Sequence, residues 1–274
     1  MPELPEVETI RVGLEPKLVG RRFDHVEIND FRLTRPHDPL EVAAELQGER
    51  IAGVERRGKY LVFRFESGRV LLVHLRMTGG FRHAQHGVEG DDPYRRAVVN
   101  LDDGSDVAYR DVRRFGTWLL LEPGELEPYL ASRVGEELLD RRLSAKAIQP
   151  LLARRRAPIK AVLLDQRVFA GVGNIYADEA LWWAQIHPLR PAASLDLTET
   201  KRLLQGIRKS LTHGITRQGA TLRDYRGADG RSGSMQREFR VYGRAGEPCT
   251  RCGTPIEKTR VGGRGTWYCP SCQQ

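Results

Sequence analysis

No stretch of the 274 residues approaches the ~18 consecutive apolar residues that a bilayer-spanning helix requires, so no segment reads as a membrane span. Cysteine is scarce: there are four, none before position 249. A disulfide framework distributed through the body of the chain is therefore excluded. The start, Met-Pro-Glu-Leu-Pro-Glu-Val-Glu, lacks the basic residues and apolar run of a signal peptide, so the expected address is the cytoplasm. Only 7 of the 44 basic residues are lysine, a preference that a GC-rich coding bias explains without any function. What the chain does have is a hydrophobic share of 40% and 28 glycines, the usual half-apolar balance of a folded protein, in a length that allows one large domain or two modest ones.

The net charge of +8 points to a polyanionic partner. It is unevenly placed: residues 1–130 hold 19 Lys+Arg against 23 Asp+Glu, and residues 131–274 hold 25 against 13. Coding bias does not produce that asymmetry, although a solvated basic face without a ligand does.

Val7, Ile10, Leu14 and Leu18 recur at spacings of three and four, predicting an amphipathic helix over 3–19 that Gly20 stops. From Phe23 to Leu121 the chain reads as short strands broken by Glu66-Ser67-Gly68 and Asp102-Asp103-Gly104-Ser105, the pattern of a β-sandwich. Two prolines and a glycine in 121–128 mark a boundary. Beyond it, helical periodicity covers about 126–132, 144–155, 158–165, 174–185 and 196–217, and the last 35 residues return to short strands. The expected class is α+β, with domains at 1–125, 126–235 and 236–274.

The four cysteines are spaced Cys249-x2-Cys252-x16-Cys269-x2-Cys272. Each Cys-x2-Cys turn can offer two thiolates to one ion, and two such turns complete a tetrahedral sulfur set, so one structural Zn2+ is expected. A ribbon of this size depends on the metal for its stability. Its loop Arg260-Val261-Gly262-Gly263-Arg264-Gly265-Thr266 reads as flexible and basic, suited to a phosphate backbone.

Residues 159–165 and 174–181 read as two helices around Gly171-Val172-Gly173, with Asn174 as the cap of the second. Such a turn either cradles a phosphate or simply joins two helices; Arg154, Arg155, Arg156 and Lys160 nearby favour the phosphate. Leu181, Trp182, Trp183 and Ile186 follow the spacing of a buried stripe rather than of a base-stacking platform.

Removal of Met1 would leave Pro2 with a free secondary amine. An α-amino group with an ordinary pKa of about 7.7 to 8.0 is substantially neutral near pH 7 and can attack an electrophilic carbon, with Glu3 and Glu6 close by to move protons. The same residues also suit an ordinary helix start.

Pro2-Glu3-Leu4-Pro5-Glu6-Val7-Glu8, Arg57-Gly58-Lys59-Tyr60-Leu61, His74-Leu75-Arg76-Met77-Thr78-Gly79, Arg113-Arg114-Phe115-Gly116, Gly171-Val172-Gly173-Asn174-Ile175-Tyr176 and the cysteine ribbon occur in this order along the whole chain. In this the sequence closely resembles the bacterial formamidopyrimidine-DNA glycosylase family. The resemblance implies an N-terminal β-sandwich with an N-terminal helix, a helix-two-turn-helix domain and a zinc finger, with damaged double-stranded DNA between the halves, and a monomer that binds no membrane. It implies a bifunctional glycosylase and abasic-site lyase of base excision repair that removes 8-oxoguanine and formamidopyrimidines. Pro2 is then the nucleophile, Glu3 its acid/base partner, Lys59 the proton donor of β-elimination and Arg264 the residue assigned to δ-elimination and phosphate gripping. Met77, Arg113 and Phe115 are the side chains that enter the duplex, with Arg113 facing the orphan cytosine; Arg155, Lys160 and Asn174 are backbone contacts. Two places depart from the family pattern: Tyr94 stands where a DNA-contacting His is usual, and the lesion-capping loop 230–236 diverges in composition. An endonuclease VIII-like enzyme for oxidised pyrimidines and a non-catalytic damaged-DNA binder are the competing readings. Leu4 and the retained Pro2, Glu3 and Lys59 weigh against them.

Overall fold

The structure is a computed structural model and describes residues 1–85 and 92–274. The first helix, α1 (Leu4–Leu18), starts where Glu3 N–H donates to Glu6 Oε2 at 2.8 Å, a side-chain bond that satisfies an otherwise orphan donor. Its buried face, Leu4, Val7, Ile10, Leu14 and Leu18, is the predicted stripe. Next come β1 (Phe23–Ile28), α2 (Pro39–Leu46), β2 (Ile51–Arg57), β3 (Tyr60–Phe65), β4 (Val70–His74), β5 (Gly79–Ala84), β6 (Arg95–Leu101), β7 (Asp106–Asp111) and β8 (Thr117–Leu121). These strands form two antiparallel four-stranded sheets, ordered β1-β6-β7-β5 and β2-β3-β4-β8. One core joins them. Phe81 and Tyr109 of the first sheet meet Phe63 and Trp118 of the second, with ring centroids 5.5 to 6.0 Å apart, and α1 and α2 close the same cluster. The expected β-sandwich with an N-terminal helix is present.

After α3 (Leu126–Ala131) the chain forms β9 (Glu136–Glu137), α4 (Ala145–Ala153), α5 (Ile159–Leu164), β10 (Phe169–Ala170), α6 (Asn174–Ala184), α7 (Leu197–Thr216), β11 (Glu257–Val261) and β12 (Arg264–Tyr268). The five predicted helices lie within two residues of these bounds. Glycines let α6 and α7 approach closely: a Cβ on Gly206 would lie 2.5 Å from Ala180 O, and one on Gly214 would lie 2.5 Å from the Tyr176 ring.

Two compact units result, one of residues 1–130 and 218–234, the other of 131–217 and 235–274. This differs from the three-part division read from the sequence, which kept 218–234 with the helices and set the ribbon apart. The segment 218–234 is tied to α1: Ala220 N–H donates to the buried Glu6 carboxylate at 2.7 Å, and Tyr225 packs on the sandwich core. The ribbon shares a cluster with Trp182 of α6.

Candidate functional site

In the first unit Pro2 is buried and Glu3 is 2% exposed at the start of α1. Lys59 is 5% exposed and follows Gly58 in the β2–β3 turn, where Gly58 has φ +57. Two ionisable side chains withdrawn from water at a chain terminus and a hairpin tip are costly unless partnered, which makes them candidates for chemistry. A side-chain relay fixes the hairpin tip against α1. Arg56 pairs with Glu8 at 2.9 Å and donates to Gly58 O at 3.1 Å, so the Lys59 turn is held by the helix that begins at Glu3. Beside Lys59 lies His74, whose pKa falls to about 3 because it is buried and because Arg76 and Lys59 add positive charge. Its Nδ1 accepts Arg76 N–H at 3.0 Å, so the ring is neutral with its proton on Nε2.

Met77 sits on the turn between β4 and β5; Arg113 and Phe115 sit on the turn between β7 and β8. Phe115 is 52% exposed and carries the Arg113 guanidinium over its ring at 4.8 Å. Both turns converge on the buried carboxylate of Asp111, a residue that no sequence motif singles out. Behind the second turn, Arg114 (φ +58) makes a two-pronged contact with buried Asp30 at 2.6 and 2.8 Å. Burial works against the Asp30 charge, but the Arg114 bonds prevail and its pKa is lowered. Tyr94 is exposed, with the Arg110 guanidinium stacked on its ring at 4.8 Å.

In the second unit three expectations need correction. Lys160, expected as a surface contact, is fully buried; Nζ lies 2.7 Å from Asp178 Oδ1 and donates to Gly265 O and Thr266 Oγ1 at 2.8 Å each. A buried ammonium survives only when its donors are committed, and these are committed within the protein. Asn174 is the first helical residue of α6 and not its cap, which is Gly173; its Nδ2 donates to Gly265 O at 3.0 Å. The loop 260–266 is no loose segment but a hairpin of β11 and β12 closed by Gly262 (φ +56) and Gly263 (φ +75), as a two-residue turn requires. Arg264 opens β12 with its side chain exposed. Arg155 is half-buried and donates to Leu151 O at 2.8 Å, tying off the end of α4, whereas Arg154 and Arg156 are exposed. The turn between α5 and α6 is braced by Gln166, which bonds Leu164 O, Val172 O and Gly171 N. Buried Glu179, also missed from sequence, accepts the N–H groups of Arg240, Val241 and Tyr242 at 2.9 to 3.1 Å. Burial raises its pKa and those three donors oppose the rise.

The four Cys Sγ atoms lie within 4.8 Å of one another, and the pair Cys252–Cys269 is 3.5 Å apart. A tetrahedral ion with sulfur at about 2.3 Å has S···S edges of about 3.8 Å, so the set fits a metal ion. Trp182 Nε1–H and Arg251 N–H point at Cys249 Sγ, and Cys272 N–H points at Cys269 Sγ, each at 3.4 Å; N–H donors aimed at sulfur suit thiolates. Trp182 and Trp183 stand edge to face at 4.8 Å beside this centre, with Arg251 and Lys209 over their rings. They are packing residues, as their spacing predicted. No helix among the described residues is long and apolar enough to cross a membrane.

The whole chain is similar to known proteins. Residues 1–118 match the formamidopyrimidine-DNA glycosylase N-terminal domain, 134–226 match the formamidopyrimidine-DNA glycosylase H2TH domain, and 246–274 match a zinc finger found in FPG and IleRS. A formamidopyrimidine-DNA glycosylase of Symbiobacterium thermophilum is 47% identical, covering 100% of this chain and 89% of that protein. The Lactococcus lactis Fpg in complex with DNA containing an abasic site superposes with a TM-score of 0.91 at 38% identity, covering 99% of each chain. The same bacterium's enzyme in complex with Fapy-dG DNA gives 0.90 at 37% identity, covering 99% of this chain and 100% of that one. The three matched segments follow in order from the sandwich that buries Glu3 and Lys59 to the four-sulfur ribbon, and the chain belongs to the formamidopyrimidine-DNA glycosylase family.

Proposed function

We propose that this chain is a bifunctional DNA glycosylase and abasic-site lyase that removes oxidised purines, 8-oxoguanine and formamidopyrimidines, from double-stranded DNA in the bacterial cytoplasm. The observation that carries this reading is the burial of Glu3 and Lys59 in the unit that also holds Pro2, in a chain matched to the family over its full length.

With Met1 removed, the Pro2 nitrogen attacks C1′ of the damaged nucleotide and the bond from C1′ to the base breaks, the base leaving with a proton. Glu3 protonates the sugar ring oxygen as the ring opens, which leaves a Schiff base between Pro2 and C1′. Loss of a C2′ proton expels the 3′ phosphate, with Lys59 supplying the proton to the leaving group, and a second elimination, with loss of the C4′ proton, expels the 5′ phosphate, which the Arg264 guanidinium grips. A base drawn out of the stack leaves a gap whose unstacking costs a few kcal/mol, roughly 2 to 4, and Met77, Arg113 and Phe115 fill it. Phe115 supports this role because a half-exposed aromatic stacked under a guanidinium presents a ready wedge. Tyr94 and Arg155 contribute backbone contacts. Asn174 does so from the start of α6, where the helix dipole favours a phosphate. Cys249, Cys252, Cys269 and Cys272 hold Zn2+, which supplies structure to the ribbon and takes no part in the reaction.

The test is borohydride trapping of protein whose N-terminal mass has been measured, on duplexes with 8-oxoguanine opposite cytosine or with an oxidised pyrimidine. Efficient covalent trapping on 8-oxoguanine by Met1-free protein, lost in Pro2→Gly, is the expected result. Preference for the pyrimidine would place the chain with the endonuclease VIII-like enzymes; no trapping on either duplex despite a free Pro2 would make it a binder.

A further inference from the structure

We propose that Asp111 is a positioning residue that locks the two turns carrying Met77 and Arg113–Phe115 into a single rigid wedge. The inference rests on the wedge reading given above. Asp111 ends β7, pairs in register with Gly79 of β5, and is 1% exposed. Its Oδ1 accepts the hydroxyl of Thr78, next to Met77, and also Arg113 N–H at 3.2 Å. Thr78 Oγ1 in turn accepts the same Arg113 N–H at 2.9 Å. On the other side, Oδ2 accepts Gly116 N–H at 2.7 Å. The main chain of Asp111 extends the link to the third loop: its N–H donates to Tyr94 O at 2.9 Å and its carbonyl accepts Arg96 Nε at 2.9 Å.

A carboxylate suits this place because every partner of its side chain is a donor, and an ionised carboxylate accepts at both oxygens without offering a hydrogen. An amide would set its NH2 against either Gly116 N–H or the Thr78 and Arg113 donors. The donors are two backbone N–H groups and one short side chain, so the bonds fix the main chain of both turns rather than the tips of flexible side chains. Met77 and Arg113 come from different turns, each crossing from one sheet to the other, yet one buried group sets the distance between their backbones. Preorganisation of this kind lowers the ordering cost at the moment the base leaves the stack.

The experiment compares Thr78→Val, Asp111→Asn and Phe115→Ala with the parent protein. It measures excision of 8-oxoguanine opposite cytosine and opposite adenine in duplexes, and cleavage of a single-stranded abasic oligonucleotide, which has no stack to enter. A 2-aminopurine beside the lesion reports insertion. Thr78→Val and Asp111→Asn are expected to slow duplex excision by about tenfold, blunt the 2-aminopurine rise and narrow the cytosine-over-adenine preference, while single-strand cleavage stays within about twofold. If Phe115→Ala slows the duplex reaction and neither positioning variant does, the role of Asp111 is overturned and the wedge reading stands. If none of the three slows it, the wedge reading falls and the positioning role with it. An equal loss on the single strand would also overturn the proposal, because the damage would then lie in the fold or the chemistry. Should Asp111→Asn fail to fold, Thr78→Val, which keeps the side-chain shape and removes only the hydroxyl link, carries the same comparison.

Discussion

Lys160 Nζ and Asp178 Oδ1 lie 2.7 Å apart with neither side chain exposed to solvent. The pair joins α5 to α6, and both partners reach on to the ribbon: Lys160 to Gly265 O and Thr266 Oγ1, Asp178 Oδ2 to Trp267 N–H at 3.1 Å. The three donors of the ammonium are thereby used. The helix pair grips the first residues of β12, and Arg264 projects from the end of that grip. In the proposed function Lys160 therefore acts through the placement of Arg264 and not by contact with DNA.

Lys160→Met leaves a buried carboxylate without its counter-charge and is expected to cost about 3–5 kcal/mol of stability, whereas a Lys160→Met/Asp178→Leu double variant regains most of that. Denaturant unfolding measures this. A phosphate contact predicts something different: near-normal stability, with the slope of log affinity against log salt smaller by about one. Observing the second pattern would return Lys160 to the DNA surface.

Why the sequence misplaced Lys160 is instructive. Next to Arg154, Arg155 and Arg156 it looks like one more member of a basic patch, and its partner is 18 positions away on another helix. Features that repeat locally were legible: the 3.6-residue stripe of α1, the strand-and-turn rhythm of the sandwich, the five later helices and the cysteine spacing. Features made by distant hydrogen bonds were not. Segment 218–234 has neither helical nor strand periodicity, and the group that anchors it, Glu6, lies 214 residues away from Ala220. Nothing in the neighbours of Asp111 and Asp30 reveals that they are buried. The proposed catalytic residues rest on the family resemblance; the amine chemistry of Pro2 is visible in the residues, but a helix start explains them equally well.

Gly116→Ala should be poorly tolerated. The added Cβ would sit 1.8 Å from the Tyr109 hydroxyl and 3.0 Å from Asp111 Oδ2. Tyr109 is fully buried between Phe81 and Trp118 and cannot swing aside, so overpacking is expected to cost about 1–3 kcal/mol or more. Tyr109→Phe removes the obstructing oxygen, a buried hydroxyl without a hydrogen-bond partner among the described residues, and should rescue part of the loss in the double variant. Gly80→Ala, where an added Cβ meets nothing within 4 Å, serves as the control. Melting temperatures of the four proteins check this; equal effects at Gly116 and Gly80 would show that the turn yields.

Metal removal should act on the ribbon and leave the sandwich folded. Among the described residues the cluster around the cysteines has Trp182, Val241, Ile256 and two cysteines as its buried members, too little apolar surface to hold two short strands without the ion. Chelation, or Cys252→Ala, is expected to release one ion per chain, change the emission of Trp182 and Trp267, and weaken DNA affinity through loss of the Arg264 hairpin. Metal-free protein with unchanged amide protection across 249–272 would contradict this.

The buried histidine beside Lys59 gives the fold an acid limit of its own. His74 falls from an ordinary 6.5 to about 3 on folding, through burial first and then the charges of Arg76 and Lys59. Between these values the unfolded chain binds a proton that the folded chain refuses, so stability is full above about pH 6.5 and falls as pH drops towards 3. With each pKa unit worth about 1.4 kcal/mol, the loss is at most roughly 4–5 kcal/mol. His74→Gln offers an uncharged acceptor for Arg76 N–H and should flatten this part of the acid limb, even where its stability at pH 7 is lower than the parent's. Urea unfolding of the two proteins at pH 7, 6, 5 and 4 makes the comparison. Parallel curves would mean that the histidine does not titrate differently in the two states, and the acid sensitivity would then belong to the paired carboxylates, Asp30 foremost among them.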